Sequence, residues 1–132
     1  MNYETEKDYI LRLIKEVVRT LISLILGRKY DPQEPAPEIR YGLASSDYEP
    51  IRDMVDCGKV NEAENLLLDG IDYKDQKSLA KLIYFYEYAS QKTEAFLQQH
   101  NYSMAEVLEG LKMLAEHLGY QNVISMMDIY EH

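Results

Sequence analysis

The segment from Cys57 to Leu68 constrains the fold more than any other part of the chain. It reads as a glycine that ends one helix, followed by a polar residue that begins the next. Gly58 is the residue type that most readily adopts the left-handed conformation found at helix C-termini. Asn61 and Glu64 have the spacing of a capping box, in which two side chains bond free N–H groups of the first helical turn. The segment therefore predicts two helices joined by a tight turn.

Helical periodicity extends over most of the 132 residues, which is enough chain for one domain with a single core. Apolar residues recur at the spacing of a helix face, and glycines or capping residues separate the runs. We expect an all-α domain of five to six helices: an N-terminal amphipathic helix over 10–27, a hairpin over 47–71, a second pair over 76–118 that begins with one long helix over 76–100, and a short last helix over 121–130.

Two further capping boxes follow from the same spacing, Ser46 with Glu49 and Ser103 with Glu106. Each places a hydroxyl acceptor three residues before a carboxylate, directly ahead of an apolar run. In the hairpin, the apolar stripe that is expected to face the core includes Leu66.

The N-terminal helix has a heptad-like apolar seam that ends before Gly27. The seam contains Ile10, Ile14, Val17, Leu21 and Leu24, and polar residues take the opposite face. Three interpretations are open: the helix is buried against the rest of its own domain, it pairs with a second copy in a homodimer, or it lies on an anionic membrane surface through its basic flanks. Its longest uncharged run, over 20–27, is too short to cross a bilayer.

Charge and proline content divide this single domain into three segments. Residues 1–30 carry six basic and four acidic residues, a net charge of +2, which leaves eight basic and 19 acidic residues, or −11, for 31–132. Three prolines in 31–46 predict an extended linker between the N-terminal helix and the helical-hairpin body, 47–132. A body this acidic repels phosphate backbones, and residues 1–30 have no dense basic stripe with stacking aromatics, so we do not expect nucleic-acid binding.

No constellation of residues predicts catalysis, a cofactor or a metal. His100, His117 and His132 lie far apart, and no ligand spacing that would place a metal on one helix face occurs. Neither a glycine-rich phosphate loop nor a nucleophile elbow is present. Cys57 is the single thiol and no signal peptide opens the sequence, so a reducing cytoplasm is the expected location.

The chain has twelve tyrosines and no tryptophan, and several aromatic residues fall in the long helix. Tyr84 and Tyr88 lie on the face opposite Leu82 and Tyr86, so this helix is apolar or aromatic most of the way round. Such a helix is usually central in its domain. The alternative is that Tyr84, Phe85 and Tyr88 form an exposed patch for a partner.

Three segments resemble an uncharacterised family of small all-helical bacterial proteins. They are Asp8–Lys15, Gly58–Leu67 and Glu109–Leu111. The resemblance implies a helical fold and a cytoplasmic location, but it carries no functional residues because no activity is established for that family. A narrower similarity, to tetratricopeptide repeats, covers the hairpin alone, since no 34-residue repeat recurs.

These observations favour a non-enzymatic protein–protein interaction or scaffold module that self-associates. Its partner is expected to be another protein or a second copy. The candidate interaction surface comprises Ile10, Ile14, Val17, Leu21, Leu24, Tyr84, Phe85 and Tyr88. Two alternatives remain: a peripheral membrane-associated protein that uses helix 10–27, or a helical ligand binder or enzyme whose site is assembled from residues far apart in sequence.

Overall fold

A computed structural model of the chain describes residues 3–28 and 36–131, with side chains described over 9–28 and 36–126. These residues form helices joined by turns and loops, without a strand. The described helices are α1 (Tyr3–Leu26), α2 (Pro37–Arg40), α3 (Ser45–Asp56), α4 (Val60–Asp69), α5 (Gln76–Ser90), α6 (Glu94–Gln99), α7 (Met104–His117) and α8 (Gln121–Glu131). The predicted all-α class is confirmed, and the described part of the chain has eight helices instead of five to six.

Helix α5 is the centre of the domain. It packs against α1, α3, α4 and α7. Its buried residues cover every side of the helix: Leu79, Ala80, Leu82, Ile83, Tyr84, Phe85, Tyr86 and Ala89. The prediction that the aromatic-rich helix is central is therefore confirmed.

Helix α1 is buried against its own domain, where it packs on α5, α7 and α8. Its inward face consists of side chains that are at most 2% exposed: Leu13, Ile14, Val17, Val18, Leu21 and Ile22. Gly27 follows the last helical residue with a φ of +63°, as its sequence position predicts. Of the three interpretations of this helix, burial within the same chain matches the structure. Across the described residues, no helix is both long enough and apolar enough to span a bilayer.

The predicted hairpin is present as α3 and α4, which pack on each other and on α5. Gly58 has a φ of +85°, and the N–H of Lys59 bonds the carbonyl of Met54 at 2.8 Å, which closes the end of α3. Space is also tight here, because a Cβ at Gly58 would overlap the imidazole of His100. Glycine at position 58 is therefore favoured both by its backbone conformation and by the His100 ring that lies beside it.

The predicted Asn61–Glu64 capping box is wrong, since α4 begins at Val60 and Asn61 already lies inside its first turn. The Asn61 amide instead donates hydrogen bonds to the carbonyl of Asn101 at 2.9 Å and to that of His100 at 3.4 Å. This amide therefore ties α4 to the turn that follows α6. The local sequence spacing is the same whether an asparagine near a helix start caps that helix or bonds a distant loop. The carbonyls of His100 and Asn101, which the sequence pattern does not show, determine the role of Asn61.

The other capping predictions have mixed outcomes. The Ser103 hydroxyl accepts the N–H of Glu106 at 3.2 Å, so that cap is confirmed. Helix α3 begins earlier than predicted, and the cap expected at Ser46 is wrong: the N–H of Ala44 donates to the Asp47 carboxylate at 3.0 Å. Leu66 does not face the core, because its side chain is 63% exposed.

The single long helix predicted over 76–100 is divided into α5 and α6. Thr93 is the cause, since its hydroxyl accepts the N–H of Phe96 at 3.0 Å and makes it the N-cap of α6. No glycine or proline marks this break. A threonine N-cap stabilises the start of a new helix by about 1 kcal/mol, so α6 can begin here in a direction different from that of α5.

The linker predicted over 31–46 begins outside the described residues, and its described part, 36–46, is not an extended connector. Pro37 opens the one-turn helix α2, a position in which its fixed φ and missing N–H are tolerated. Tyr41 and Leu43 then enter the core, at 4% and 2% exposure. The Arg40 guanidinium, also buried, pairs with the Glu87 carboxylate of α5 at 2.7 Å. This segment is anchored to the central helix.

Replacing Gly58 with alanine tests the close approach at the hairpin. We expect a loss of roughly 1–2 kcal/mol from the left-handed backbone, and a further loss of roughly 1–3 kcal/mol from overlap with the imidazole. In a His100→Ala background only the backbone part remains, so the cost of Gly58→Ala falls. Urea denaturation of the four proteins measures this coupling. An equal cost in both backgrounds would show that the ring does not lie against Gly58.

Candidate functional site

The candidate interaction residues do not form one exposed surface. Five of them are buried in the core of the same chain: Ile14, Val17, Leu21, Tyr84 and Phe85. Ile10 and Tyr88 are half-buried, and Leu24 is exposed. The five buried positions are apolar or aromatic because they form the domain centre, and a surface for a partner has to be sought elsewhere in the described residues.

Tyr88 belongs to a polar cluster that joins α5 to α3. Its hydroxyl donates to the Asp56 carboxylate at 2.7 Å, and the Lys92 ammonium donates to the same oxygen at 2.6 Å. The ammonium also lies 5.1 Å from the centre of the Tyr88 ring. Burial raises the pKa of Asp56, but the hydrogen bonds from Lys92 and Tyr88 outweigh it and leave the pKa below its ordinary value. These three side chains satisfy one another, so the cluster joins α5 to α3 and does not indicate a binding site.

A cavity of about 330 Å³ lies between α4 and α7, with α5 as its floor. Both outer helices pack on α5, but they make few contacts with each other, so a groove is left between them. Leu82 and Tyr86 form the floor, and residues of α7 from Glu106 to His117 form one wall. We call this feature the α4–α7 groove.

The shape of the α4–α7 groove depends on Gly110. A Cβ at this position would overlap the outer end of the Tyr86 ring, so glycine lets the phenol lie against the backbone of α7. The Tyr86 hydroxyl then reaches across the floor and donates to the Glu64 carboxylate of α4 at 2.6 Å. Burial raises the pKa of Tyr86, and its hydrogen bond to Glu64 raises it further.

Aromatic and apolar side chains surround the opening. The rings of Tyr73 and His117 stack with centroids 4.6 Å apart and planes inclined by 27°. Leu68 and Met113 also line the groove, and they are 39% and 54% exposed. Large apolar side chains held open to water beside a concavity are characteristic of binding sites.

Three carboxylates give the groove its charge: Glu64 on α4, and Glu106 and Glu109 on α7. One oxygen of Glu64 takes the Tyr86 hydroxyl, and one oxygen of Glu106 takes the Ser103 hydroxyl at 3.2 Å. No group of three His, Cys, Asp or Glu in the described part of the chain is placed to hold a metal ion.

Tyr102 lies behind the groove and is only 2% exposed. Its hydroxyl makes no hydrogen bond among the described residues. Burial raises the pKa of this phenol, and the charge of Glu64 adds to the effect. The polar interior beside Glu64 thus contains two phenols, one bonded to the carboxylate and one without a partner.

Sequence reasoning did not find the α4–α7 groove, because a local pattern assigns its carboxylates to helix capping and the helix dipole. Glu64 in particular has the spacing of a cap, yet its partner is 22 residues away on α5. One signal was available. Gly110 lies inside a strongly periodic helix, where glycine costs about 1 kcal/mol relative to alanine, and such a glycine usually has a packing reason.

Residues 4–119 match the model of a family described as "Family of unknown function (DUF6483)". No curated protein and no solved structure matches the chain.

Acid pH is expected to weaken the Asp56 cluster. Because its folded pKa lies below the unfolded value of about 3.9, ionised Asp56 stabilises the fold above that pH, and this contribution is lost as pH falls through the folded pKa. Asp56→Asn should therefore lower the urea midpoint at pH 7 and have a much smaller effect at pH 3. Asp53→Asn, an exposed change on the same helix, is the control. A difference that does not vary with pH would contradict the ion pair.

The sign of the change in unfolding free energy caused by Gly110→Ala tests whether Tyr86 lies on the floor of the groove against α7. Helix propensity alone predicts stabilisation by about 1 kcal/mol. Overlap with Tyr86, and disturbance of its bond to Glu64, predict a net loss of roughly 1–2 kcal/mol instead. In a Tyr86→Leu background the overlap is absent, and the same substitution should stabilise. Thermal or urea unfolding measures the effect of Gly110→Ala in the wild-type and the Tyr86→Leu backgrounds. Stabilisation in both would show that the Tyr86 ring does not lie against Gly110.

Proposed function

We propose that this chain, which belongs to the family of unknown function DUF6483, is a non-enzymatic interaction module that binds an apolar segment of a partner protein in the α4–α7 groove. Helices α4 and α7 both pack on α5, and this packing holds the two walls of the groove apart. The α3–α4 hairpin, tetratricopeptide-like in its sequence, supplies one wall through α4.

The exposed pair Leu68 and Met113 is the observation that carries this proposal. They lie on opposite walls, α4 and α7, and both face the same concavity. Covering apolar surface is favourable by about 25 cal/mol per Å², so a segment that lies between the walls and contacts both side chains gains free energy along its length. A helix-lined groove of this kind suits an extended or helical peptide.

Rigid support for the groove favours binding without a large ordering cost. Its floor belongs to α5, which is buried on every side, and Gly110 and Tyr86 are in direct contact. The bond from Tyr86 to Glu64 links the floor to the α4 wall at 2.6 Å. A preformed site loses little conformational entropy when a ligand enters it.

A second copy of the chain is the competing occupant. The seam of α1, which was the sequence-based candidate for dimer contact, is buried within its own domain at Ile14, Val17 and Leu21. Self-association would then have to use another surface, and the groove is a candidate. The experiment below therefore includes the solution mass of each variant.

Selection of a displayed random-peptide library on the full chain tests the proposal. Peptides bound in the groove should lose roughly tenfold or more in affinity, about 1.4 kcal/mol, for the double variant Leu68→Ser/Met113→Ser. The matched control is Leu66→Ser/Met126→Ser, which alters two side chains that are 63% and 57% exposed and do not line the groove.

The results distinguish a partner segment from a second copy as the occupant of the groove. Peptides that bind the control variant but lose affinity for Leu68→Ser/Met113→Ser support the proposal. Failure to select peptides, or equal loss in both double variants, overturns it. Light scattering measures whether the chain forms a dimer. If Leu68→Ser/Met113→Ser dissociates a dimer and the control variant does not, the groove is a self-association surface, and its occupant is a second copy instead of a partner protein.

A further inference from the structure

We infer that the partner segment presents an arginine to the α4–α7 groove, with its guanidinium between the Glu64 wall and the Glu109 wall. This inference rests on the proposed function and adds the chemistry that the groove selects. It is carried by the charge of the lining residues, by the acceptors they leave open and by the stacked aromatic pair at the opening.

The charge of the groove is one-sided. Glu64, Glu106 and Glu109 line it, and neither lysine nor arginine is among the described residues that do so. The whole chain carries a net charge of −9, so the surrounding field has the same sign. A carboxylate or phosphate on the ligand would be repelled, and a cation would be attracted and steered toward the opening.

The acceptors are spread over two walls. Tyr86 donates to one oxygen of Glu64. An ionised carboxylate has about four lone-pair positions, so acceptor capacity remains on this wall. On the facing helix, Glu109 is exposed and has no hydrogen-bond or ion-pair partner among them. A guanidinium has five N–H donors fixed in one plane and can bond carboxylates on two sides, whereas an ammonium is a compact point charge.

The aromatic pair favours the same group. Tyr73 and His117 both line the groove, and their rings stack on each other with centroids 4.6 Å apart, so a planar group can stack only on an outer face of the pair. A planar guanidinium stacks on an aromatic face and is less strongly hydrated than an ammonium, so it loses less hydration on entry. Leu68 and Met113 would meanwhile cover the methylene stem and the neighbouring apolar residues of the segment.

The experiment begins with the groove-dependent peptides from the library selection. We expect them to be enriched in arginine beside an apolar residue. One synthetic peptide is then compared with versions in which its arginine is replaced by lysine or by citrulline, which keeps the shape without the charge. Citrulline should weaken binding at least tenfold, lysine by a smaller factor, and added salt should weaken the arginine peptide most.

Protein variants locate the cation. Glu109→Gln should weaken the arginine peptide roughly three- to tenfold and leave the citrulline peptide unchanged. The matched control is Glu116→Gln, an exposed carboxylate of α7 that does not line the groove, and it should have little effect. Neither change touches the bond between Tyr86 and Glu64, so folding is expected to be preserved, and circular dichroism verifies it.

Failure of this inference is distinguishable from failure of the proposed function. Groove-dependent peptides without arginine, or an arginine peptide that citrulline or Glu109→Gln leaves unaffected, overturn the arginine site while the apolar groove stands. An equal loss with Glu116→Gln also overturns it, because the effect is then general charge attraction. If no peptide depends on Leu68 and Met113, the proposed function and the arginine site fall together.

Discussion

The burial of α5 on every side is the constraint on which the rest of this structure depends. Between Leu79 and Ala89 the buried apolar and aromatic residues of this helix point to nearly all sides, so other helices have to enclose it. Helices α1, α3, α4 and α7 supply that enclosure. The N-terminal helix is consequently part of the core, and its heptad-like seam reflects its place against α5 and α7.

Polar contacts give this enclosure its geometry. Three consecutive residues of α5 reach three different elements: Tyr86 bonds Glu64 of α4, Glu87 pairs with Arg40 of α2, and Tyr88 bonds Asp56 of α3. Successive helical residues point about 100° apart, so three neighbours address three directions. Burial alone is non-directional, whereas these bonds orient α2, α3 and α4 relative to the centre.

The α4–α7 groove follows from the same arrangement. Two helices that both pack on α5, and hardly on each other, leave a concavity above it. Gly110 sets its depth, because the Tyr86 ring lies where a side chain would otherwise be. Glu64 holds the floor to the α4 wall as a hydrogen-bond acceptor, and it is also one of the three carboxylates that line the groove.

The sequence by itself determined the helical class, most helix positions, the glycine stops at Gly27 and Gly58, the cap at Ser103 and the central place of the aromatic helix. These features depend on residues within about four positions of one another, which is the range over which helical periodicity and capping act.

Only the tertiary structure decided what Asn61 and Glu64 bond, since their partners are 40 and 22 residues away and a local pattern assigns both to a cap. It also decided the anchoring of Arg40 to Glu87, and the groove itself, which exists because α4 and α7 both pack on α5. For the polar side chains the physical reason is the same: near a helix end such a side chain satisfies its hydrogen bonds equally well nearby or at a distance, and the packing of whole helices selects which partner is in reach.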